Sequence, residues 1–497
     1  MKKRILYSGA LFIGLVSVQS GFAQKKKSKT PQRPNIVFIL ADDLGYGDLS
    51  CYGQEKFDTP NIDQLAQNGM RFTQCYSGTT VSAPSRSCLL TGTHSGHTAI
   101  RGNKELDPEG QFPLPADART IFHLFKDAGY KTAAFGKWGL GFIGSTGDPN
   151  KQGIDYFYGY NCQLLAHSYY PDHLWENDQR IELKDNVLEV EYGKGTYSQD
   201  LIHSKALSFL DARKQEEPFF LFYPTIIPHA ELIVPEDSII KKFRGKFPEV
   251  PYKGFEPGSP AFRKGGYCTQ LNPRATFAAM IYRLDVYVGQ LVQKLKEKGM
   301  YDDAVICFTA DHGDMLGDHY HWRKTYPYEG SAHIPYIVKW PSYVEKSVPA
   351  GTKIEQPVEL RDFLPTFIDL AGGAVPPDMD GSSLLKLVQG HGNEWRKYID
   401  MEHATCYSAD NYWCALTDGK LKYVWNFHNG KEQLFDLVKD PGELVDCSAN
   451  SKYGKQLKEL REEMVKHLSE RGDEFVKDGK LMTLEKTVLY SPNFPQK

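Results

Sequence analysis

The chain has 497 residues, with 59 Lys and Arg against 62 Asp and Glu, and a formal net charge of −3 at pH 7. This length allows one large domain with a smaller partner, and the lack of a basic cluster interleaved with aromatic residues argues against nucleic-acid binding. An anionic substrate would therefore be bound by a few local cations. Nine cysteines without metal-type spacing leave at least one free thiol, and the sequence does not define their pairing.

The N-terminus has the features of a secretory signal peptide, predicted to span residues 1–23. Three basic residues precede an apolar run at 5–18, and small residues lead up to Ala23 at the expected cleavage site. The run is too short for a comfortable membrane span, and no later segment replaces it. The mature protein is therefore predicted to be periplasmic or secreted, with no membrane span, and residues 24–33 to be a basic linker.

Strands and helices alternate through residues 34–380, which are predicted to form the catalytic domain. This alternation is typical of an α/β fold with a large, mostly parallel or mixed sheet between helices. The first strand, 34–41, is a continuous apolar run typical of a buried strand. The remaining predicted elements are a helix from Pro60 to Gly69, a helix at 120–128, a strand at 130–135, a helix at 201–212, a strand at 218–223, a helix at 275–298 and a strand at 304–309.

Residues 381–497 have a different pattern and are predicted to form a smaller α+β subdomain. Short strands at 412–417, 421–425 and 433–437 are separated by Asp-Gly and Asn-Gly pairs, which favour antiparallel hairpins. A helix follows, with Leu457, Leu460, Met464 and Leu468 on one face and Gly472 at its end.

Two acidic pairs each follow a buried strand. Asp42 and Asp43 end the first strand, and the strand that begins at residue 304 leads in the same way into Asp311 and His312. Three carboxylates and a fourth ligand, arriving from two strand ends of one sheet, suit a hard divalent cation such as Ca²⁺. An isolated Asp pair more often lies in a solvated loop or caps a helix, but two pairs that each follow a buried strand favour a metal site.

The segment from Ser82 to Arg86 reads Ser-Ala-Pro-Ser-Arg and continues through Leu90 into Thr91-Gly92. It resembles the signature of the sulfatase family, a Cys or Ser followed by x-Pro-Ser-Arg and then Leu-Thr-Gly. In that family the first residue is oxidised after synthesis to formylglycine by an external maturation enzyme. A serine would leave a slowly hydrolysed alkyl sulfate after attack, whereas the second hydroxyl of a hydrated aldehyde can expel the sulfate.

The resemblance to sulfatases covers nearly all of the predicted mature chain. Further matching blocks, in the family order, lie at 34–47, 59–69, 136–138, 309–313, 358–372 and 434–441. The resemblance implies the alkaline-phosphatase-type fold and one Ca²⁺. The ligands that it implies are Asp42, Asp43, the modified Ser82, Asp311 and His312. Many relatives have Asn at the last of these positions, and imidazole is an unusual calcium ligand.

Four further side chains complete the predicted catalytic set with Ser82. Arg86 lies one helical turn later and is expected to hydrogen-bond the hydrated aldehyde. Lys137 and Lys324 match the two lysines of the family that contact the sulfate. His229 or Lys324 is expected to protonate the leaving sugar oxygen.

One position departs from the family pattern. The common block reads Gly-Lys-Trp-His-Leu-Gly, but this chain has Gly139 where the histidine is usual. Either another group deprotonates the hydrated aldehyde or Lys137 acts alone. His94 and His97 are close in sequence but match no family position, so the base stays unassigned.

Substrate contacts are predicted from a segment at 159–175 that is rich in aromatic, amide and imidazole side chains. It resembles a segment that some bacterial carbohydrate sulfatases use near the sugar, although core packing explains much of its composition equally well. The candidate substrate-binding residues are His167, His173 and Trp322.

The sequence therefore predicts an exported, calcium-dependent sulfatase acting on a sulfated oligosaccharide or polysaccharide. By resemblance, the sugar is a terminal galactose or N-acetylgalactosamine that carries 4-O or 6-O sulfate. A phosphatase, phosphodiesterase or phosphonate monoester hydrolase of the same superfamily is the alternative enzyme. An unmodified sulfatase-like protein that only binds glycans is the alternative from a different class.

Overall fold

The computed structural model describes residues 33–186, 195–251, 269–321, 323–345, 349–404, 406 and 411–484. The predicted signal peptide, the linker up to residue 32 and Trp322 lie outside the described residues. Within the described ranges, no helix combines the length and the apolar character needed to cross a bilayer. The eight cysteines in these ranges form no disulfide.

The described chain forms twenty strands and eleven α-helices. The strands are β1 (Asn35–Asp42), β2 (Met70–Phe72), β3 (Cys75–Tyr76), β4 (Glu105–Leu106), β5 (Gly110–Gln111), β6 (Lys131–Lys137), β7 (Tyr156–Tyr160), β8 (His173–Glu176), β9 (Gln179–Glu182), β10 (Phe219–Pro228), β11 (Ala304–Ala310), β12 (Tyr336–Lys339), β13 (Thr352–Ile354), β14 (Val358–Glu359), β15 (Ile399–His403), β16 (Trp413–Thr417), β17 (Leu421–Asn426), β18 (Glu432–Asp436), β19 (Val476–Lys477) and β20 (Lys480–Leu481). The helices are α1 (Pro60–Asn68), α2 (Ser82–Thr91), α3 (Ile121–Asp127), α4 (Ser198–Asp211), α5 (Ser238–Phe243), α6 (Pro273–Glu297), α7 (Glu329–Ala332), α8 (Ser342–Glu345), α9 (Phe363–Leu370), α10 (Leu385–Val388) and α11 (Gly454–Ser469). Every helix and strand predicted from the sequence is present, with ends shifted by a few residues.

Ten strands form one mixed sheet in the order β13-β2-β12-β11-β1-β10-β6-β7-β8-β9. Its five central strands, from β11 to β7 in this order, pair in parallel. All eight residues of β1 are buried, which explains why this segment is a continuous apolar run. Because parallel strands end at the same edge of a sheet, the residues that follow these strands gather there.

Helices cover both faces of this sheet. Phe220 and Phe222 of β10 pack against Phe122 of α3. Tyr223 points to the opposite face, since successive strand residues alternate, and its hydroxyl lies 3.3 Å from the ring of His203 on α4. The α/β architecture predicted from the sequence is confirmed.

A second, four-stranded sheet has the order β15-β16-β17-β18 and is antiparallel throughout. Helix α11 packs on it through Leu460, Met464 and Leu468, which contact a buried cluster that includes Tyr423 and Leu434. This confirms the smaller antiparallel sheet with one helix, while the boundary at residue 380 stays a prediction.

Candidate active site

Four adjacent parallel strands deliver functional side chains to one edge of the large sheet. These strands are β11, β1, β10 and β6. In the same order, the side chains at their carboxyl ends are Asp311 and His312, Asp42 and Asp43, His229, and Lys137. The Asp42–Asp43 pair and the Asp311–His312 pair therefore meet because their strands are neighbours.

The two acidic pairs form one buried cluster. Asp42, Asp43, Asp311 and His312 each offer a ligand atom, and these atoms lie within 4.8 Å of one another. All four side chains are buried. Three carboxylates at one point, with an imidazole beside them, match the donors that a divalent cation requires, although the imidazole is unusual for Ca²⁺.

His312 has the tautomer of a metal ligand. Its Nδ1 lies 3.0 Å from the carbonyl oxygen of Gly313, to which it donates, and 3.2 Å from Asp43 Oδ1. In a neutral ring Nε2, 3.7 Å from Asp311 Oδ1, is then the nitrogen without a proton. Burial lowers the pKa of His312 to about 4, which keeps the ring neutral at ordinary pH. A neutral imidazole with one nitrogen fixed by a hydrogen bond is the form that binds metal.

Two carboxylates of the cluster, Asp42 and Asp43, are held by lysines. Burial alone would raise the pKa of Asp42, but Lys137, whose Nζ is 2.7 Å away, and other nearby cations hold it well below its usual value. Burial raises the pKa of Asp43 well above its usual value, against the effect of Lys324 at 2.8 Å and with the help of Asp42. The pair therefore has room for further positive charge, which a bound cation would supply.

Ser82 lies at the centre of this arrangement, as the first residue of α2 and 1% exposed. Its hydroxyl donates to Asp42 Oδ1 at 3.3 Å and accepts from Lys137 Nζ at 3.4 Å. The same oxygen is 3.2 Å from Nε2 of His312. Since the first turn of a helix has unpaired N–H groups and a partial positive charge, this position favours an anion.

Arg86 connects Asp311, one of the candidate metal ligands, to the backbone of Lys137 at the end of β6. Its Nε and Nη2 donate to Asp311 Oδ2 at 3.1 and 2.9 Å, and its Nη1 donates to the carbonyl of Lys137 at 2.9 Å. It also lies 3.6 Å from a carboxylate oxygen of Asp42. Its predicted hydrogen bond to a modified residue 82 stays a prediction.

His229 and His167 lie on the other side of Asp43. His229 Nε2 is 3.5 Å from Asp43 Oδ2, and its Nδ1 bonds to the carbonyl of Ala230. Burial, followed by the charge of Lys324, lowers the pKa of His229 well below its usual value. The ring of His167 stacks on that of His229 with centroids 5.0 Å apart, and burial lowers the pKa of His167 to about 3.

His173 has a different set of contacts. It is 4% exposed, and its two ring nitrogens face Asp172 at 2.6 Å and Glu109 at 2.7 Å. Glu109 also accepts a hydrogen bond from the indole of Trp175. These bonds join the β4–β5 hairpin to β8, and the role of His173 in substrate binding stays a prediction.

Gly139 has a positive φ of 74°, and a buried amide covers it. A Cβ atom at this position would lie 2.2 Å from Nε2 of Gln163, which is 2% exposed. The side chain of Gln163 thus occupies the space where a larger residue at 139 would begin. His94 and His97 do not replace the missing histidine, since they pair with Asp400 and Asp380.

Two supporting residues were missed in the sequence. The hydroxyl of Tyr169 bonds to the carbonyls of Ile226 and His229 at 2.7 and 2.9 Å, and so fixes the turn that carries His229. Asn103 Oδ1 accepts from the N–H of Ala83 at 3.0 Å, next to Ser82. Tyr169 falls within the aromatic segment at 159–175, but its partner, His229, is 60 residues away. No local sequence pattern predicts the contact of Asn103.

Two family models match the chain. The Sulfatase model matches residues 34–374, and the model for the C-terminal part of N-sulphoglucosamine sulphohydrolase matches residues 317–470. An N-acetylglucosamine-6-O-sulfatase of Bacteroides thetaiotaomicron is 26% identical over 529 aligned positions, which cover 90% of this chain and 89% of that protein.

Solved structures share the fold. One, described as in complex with its substrate D-glucosamine-2-N,6-O-disulfate, has a TM-score of 0.72 at 24% identity, covering 89% of this chain and 98% of its own. A phosphonate monoester hydrolase of Agrobacterium radiobacter has a TM-score of 0.67 at 22% identity, covering 88% of this chain and 96% of its own. At these identities the likeness concerns the fold alone.

Proposed function

The chain belongs to the sulfatase family, and we propose that it is an exported, calcium-binding sulfatase that removes sulfate from a terminal sugar of a glycan. It is a sulfuric ester hydrolase with the alkaline-phosphatase-like fold. Its substrate in this proposal is galactose or N-acetylgalactosamine with 4-O or 6-O sulfate, at the end of a glycan such as a glycosaminoglycan. The names of the bacterial relatives, which include an N-acetylgalactosamine-6-O-sulfatase, support the glycan class.

The position of the Ser82 hydroxyl carries this proposal. It is buried at a helix N-terminus, within 3.4 Å of a carboxylate, an imidazole and an ammonium group. Lys137 contacts it, and two further buried cations, Arg86 and Lys324, pair with the carboxylates of the same cluster. Buried cations gathered at one nucleophile are suited to stabilise the charge of a transferring sulfuryl group.

A calcium ion and a formylglycine residue complete the proposed site. Asp42, Asp43, Asp311 and His312 would hold Ca²⁺, which supplies positive charge that polarises the oxygens of the sulfate ester. Formylglycine, made from Ser82 by a separate maturation enzyme, would supply a hydrated aldehyde as the nucleophile.

Lys137 is our candidate for the base at residue 82. Burial lowers the pKa of Lys137, although Asp42 opposes the shift. A lysine with a lowered pKa exchanges a proton more readily, and its Nζ already contacts the Ser82 oxygen at 3.4 Å. Gln163 cannot take this role because an amide does not titrate. His312 is assigned to the metal.

Lys324 is our candidate for the proton donor to the leaving sugar oxygen. With the Nδ1 proton of His229 directed at the Ala230 carbonyl, a neutral ring presents Nε2 without a proton. The ammonium group of Lys324 faces the same carboxylate, Asp43, and carries protons. His167, stacked on His229 and only partly buried, is the proposed sugar contact.

A phosphate or phosphonate ester hydrolase is the competing proposal, because the fold is shared with a phosphonate monoester hydrolase. Enzymes of this superfamily that use an unmodified Ser or Thr typically bind two metal ions. The described residues contain one cluster of metal-ligating side chains, which favours the sulfatase.

Substrate preference tests the proposal. The protein is produced together with a formylglycine-generating enzyme. Sulfate release is measured from the 4- and 6-sulfates of galactose and N-acetylgalactosamine and from N-acetylglucosamine 6-sulfate. Hydrolysis rates are also compared for matched aryl sulfate and aryl phosphate esters. We expect sulfate release from at least one galacto-configured sugar, and a loss of activity with a chelator that Ca²⁺ restores. Lys324→Ala should lower kcat, whereas Lys455→Ala, on the exposed face of α11, should not. Preference for the phosphate ester would overturn the proposal.

A further inference from the structure

A groove of about 660 Å³ lies between α4 and the start of β7, away from the Ser82 cluster. Lys131, the first residue of β6, lines it, whereas Lys137 at the other end of β6 belongs to the active site. The two lysines are six residue steps apart along the strand, which corresponds to about 20 Å at roughly 3.3 Å per residue. A molecule in this groove would not occupy the catalytic site, and the volume suits a small organic ligand.

The walls of the groove are aromatic on one side and hydroxyl-bearing on the other. Tyr156 and Tyr158 lie two residues apart on β7 and therefore on the same face of the strand. On α4, Leu201, Ser204 and Ser208 line the opposite wall at a spacing that places them on one helical face. Aromatic rings opposite hydroxyl groups are suited to a ligand with both an apolar face and polar edges, as a sugar ring has.

Some charges of the groove are already matched. Lys205 pairs with Glu176 at 2.9 Å, and its Nζ lies 4.9 Å from the ring centroid of Tyr158. Asp155, the one carboxylate in the lining, pairs with Lys126 at 2.9 Å. Because each of these ion pairs is neutral, the two pairs contribute little net charge to the groove.

Two cations of the groove are unmatched. Within the described ranges, neither the ammonium group of Lys131 nor the guanidinium of Arg213 has an ion pair or a hydrogen bond, although the backbone N–H of Lys131 donates to the carbonyl of Pro218. Arg213 lies over the ring of Phe209 at 4.5 Å, and its Nε is buried without a partner. The Arg213 guanidinium is held in place by the Phe209 ring, and the Lys131 ammonium group lines the same groove. Two cations without ion-pair partners at one groove favour the binding of an oxyanion such as a sulfate group.

We propose that this groove is a second, non-catalytic binding site for a sulfated sugar unit. Lys131 and Arg213 bind the sulfate oxygens, and the partly exposed ring of Tyr156 packs against the apolar face of the sugar, while Tyr158 lies buried beneath Lys205. The site does not depend on which ester the Ser82 cluster hydrolyses. On a polymer long enough to reach both sites, it raises the effective concentration of sulfated units at the enzyme without a change in the chemistry.

Binding stoichiometry tests this site. Equilibrium dialysis with labelled N-acetylgalactosamine 6-sulfate is performed on Ser82→Ala protein, which prevents turnover. The triple variant that adds Lys131→Ala and Arg213→Ala should bind one equivalent fewer. Adding Lys455→Ala and Lys458→Ala instead removes the same charge from an exposed face of α11 and should leave the stoichiometry unchanged.

Two further measurements separate this proposal from the catalytic one. In a background with intact Ser82, the groove variant should hydrolyse a small aryl sulfate with a kcat/KM within about twofold of the parent, which also shows that it is folded. Its affinity for a sulfated hexasaccharide should fall about tenfold. Equal stoichiometry in the groove and control variants would overturn the proposal. Equally tight binding of inorganic sulfate alone would contradict sugar recognition.

Discussion

The Tyr169→Phe substitution removes the hydroxyl that bonds to the backbone of His229 and leaves the other side chains of the site unchanged. The Tyr169 hydroxyl is the partner of the His229 carbonyl at 2.9 Å, whereas the Ile226 carbonyl, at 2.7 Å, also accepts from the N–H of His229. Phenylalanine keeps the ring, which is fully buried and stacks on Tyr197. The substitution therefore leaves one buried carbonyl without its described partner and loosens the turn after β10.

The expected effect is measurable in both stability and rate. An unsatisfied buried carbonyl costs about 1–3 kcal/mol of unfolding free energy, which urea titration resolves. Because a displacement near 1 Å can cost about a hundredfold in rate, we expect kcat to fall roughly tenfold to a hundredfold. KM should change less than about threefold, because His229 contacts the cluster through Asp43, at 3.5 Å, and is not the proposed proton donor or sugar contact.

Tyr52→Phe is the matched control. The hydroxyl of Tyr52 also bonds to two backbone carbonyls, those of Tyr336 at 2.6 Å and Phe72 at 3.1 Å, and accepts from the N–H of Tyr336 at 3.1 Å, but on β12 and β2 rather than at the active site. It should cost similar stability and leave kcat unchanged. If Tyr169→Phe lost the same stability as this control with an unchanged kcat, the hydroxyl would have no influence on His229 and the reasoning would be refuted.

Three other substitutions test separate parts of the account. Arg86→Met leaves buried carboxylates without their guanidinium and should cost about 3–5 kcal/mol in urea unfolding of the metal-free protein; a loss under about 1 kcal/mol would be inconsistent with the ion pairs described. Gly139→Ala requires a positive φ and meets the Gln163 amide, so it should destabilise by more than about 1 kcal/mol, and Gln163→Ala in the same chain should restore part of the loss. A hydrogen bond that the His97 ring donates to the Asp380 carboxylate, against the effect of burial, raises the pKa of His97. The stability advantage over His97→Gln should therefore be full below about pH 6.5 and disappear as pH rises through the folded pKa; an advantage that grows with pH would contradict this.

The strand ends of the site could be predicted from the sequence because their signals are local. An apolar run that stops abruptly at Asp42, and another that leads into Asp311, identify buried strands and the side chains at their ends. Since a parallel sheet brings such ends to one edge, the meeting of the two pairs follows from the fold class.

The order of the strands could not be predicted, because it depends on contacts between distant parts of the chain. Strand β10 lies between β1 and β6, although residues from 138 to 218 separate it from β6. Strand β7 was missed, since its Tyr- and Gly-rich sequence has no apolar run and its burial comes from pairing with β6. Register of this kind is set by tertiary packing rather than by local pattern.

The supporting contacts of the site were also beyond the sequence. Gln163 covers Gly139 from 24 residues away, and the two meet only because β6 and β7 pair. The blocks shared with sulfatases located Ser82, Lys137 and Lys324, whereas Asn103, Gln163 and Tyr169 carry no signature.

The central claim is that residue 82 acts as a matured nucleophile in a sulfatase site. Mass spectrometry of the peptide containing Ser82, from protein purified from its native host, tests this most directly. We expect a peptide lighter by two hydrogens than the encoded serine form, in a preparation that releases sulfate from a sulfated sugar. An unmodified serine in protein that releases sulfate at full rate would contradict it.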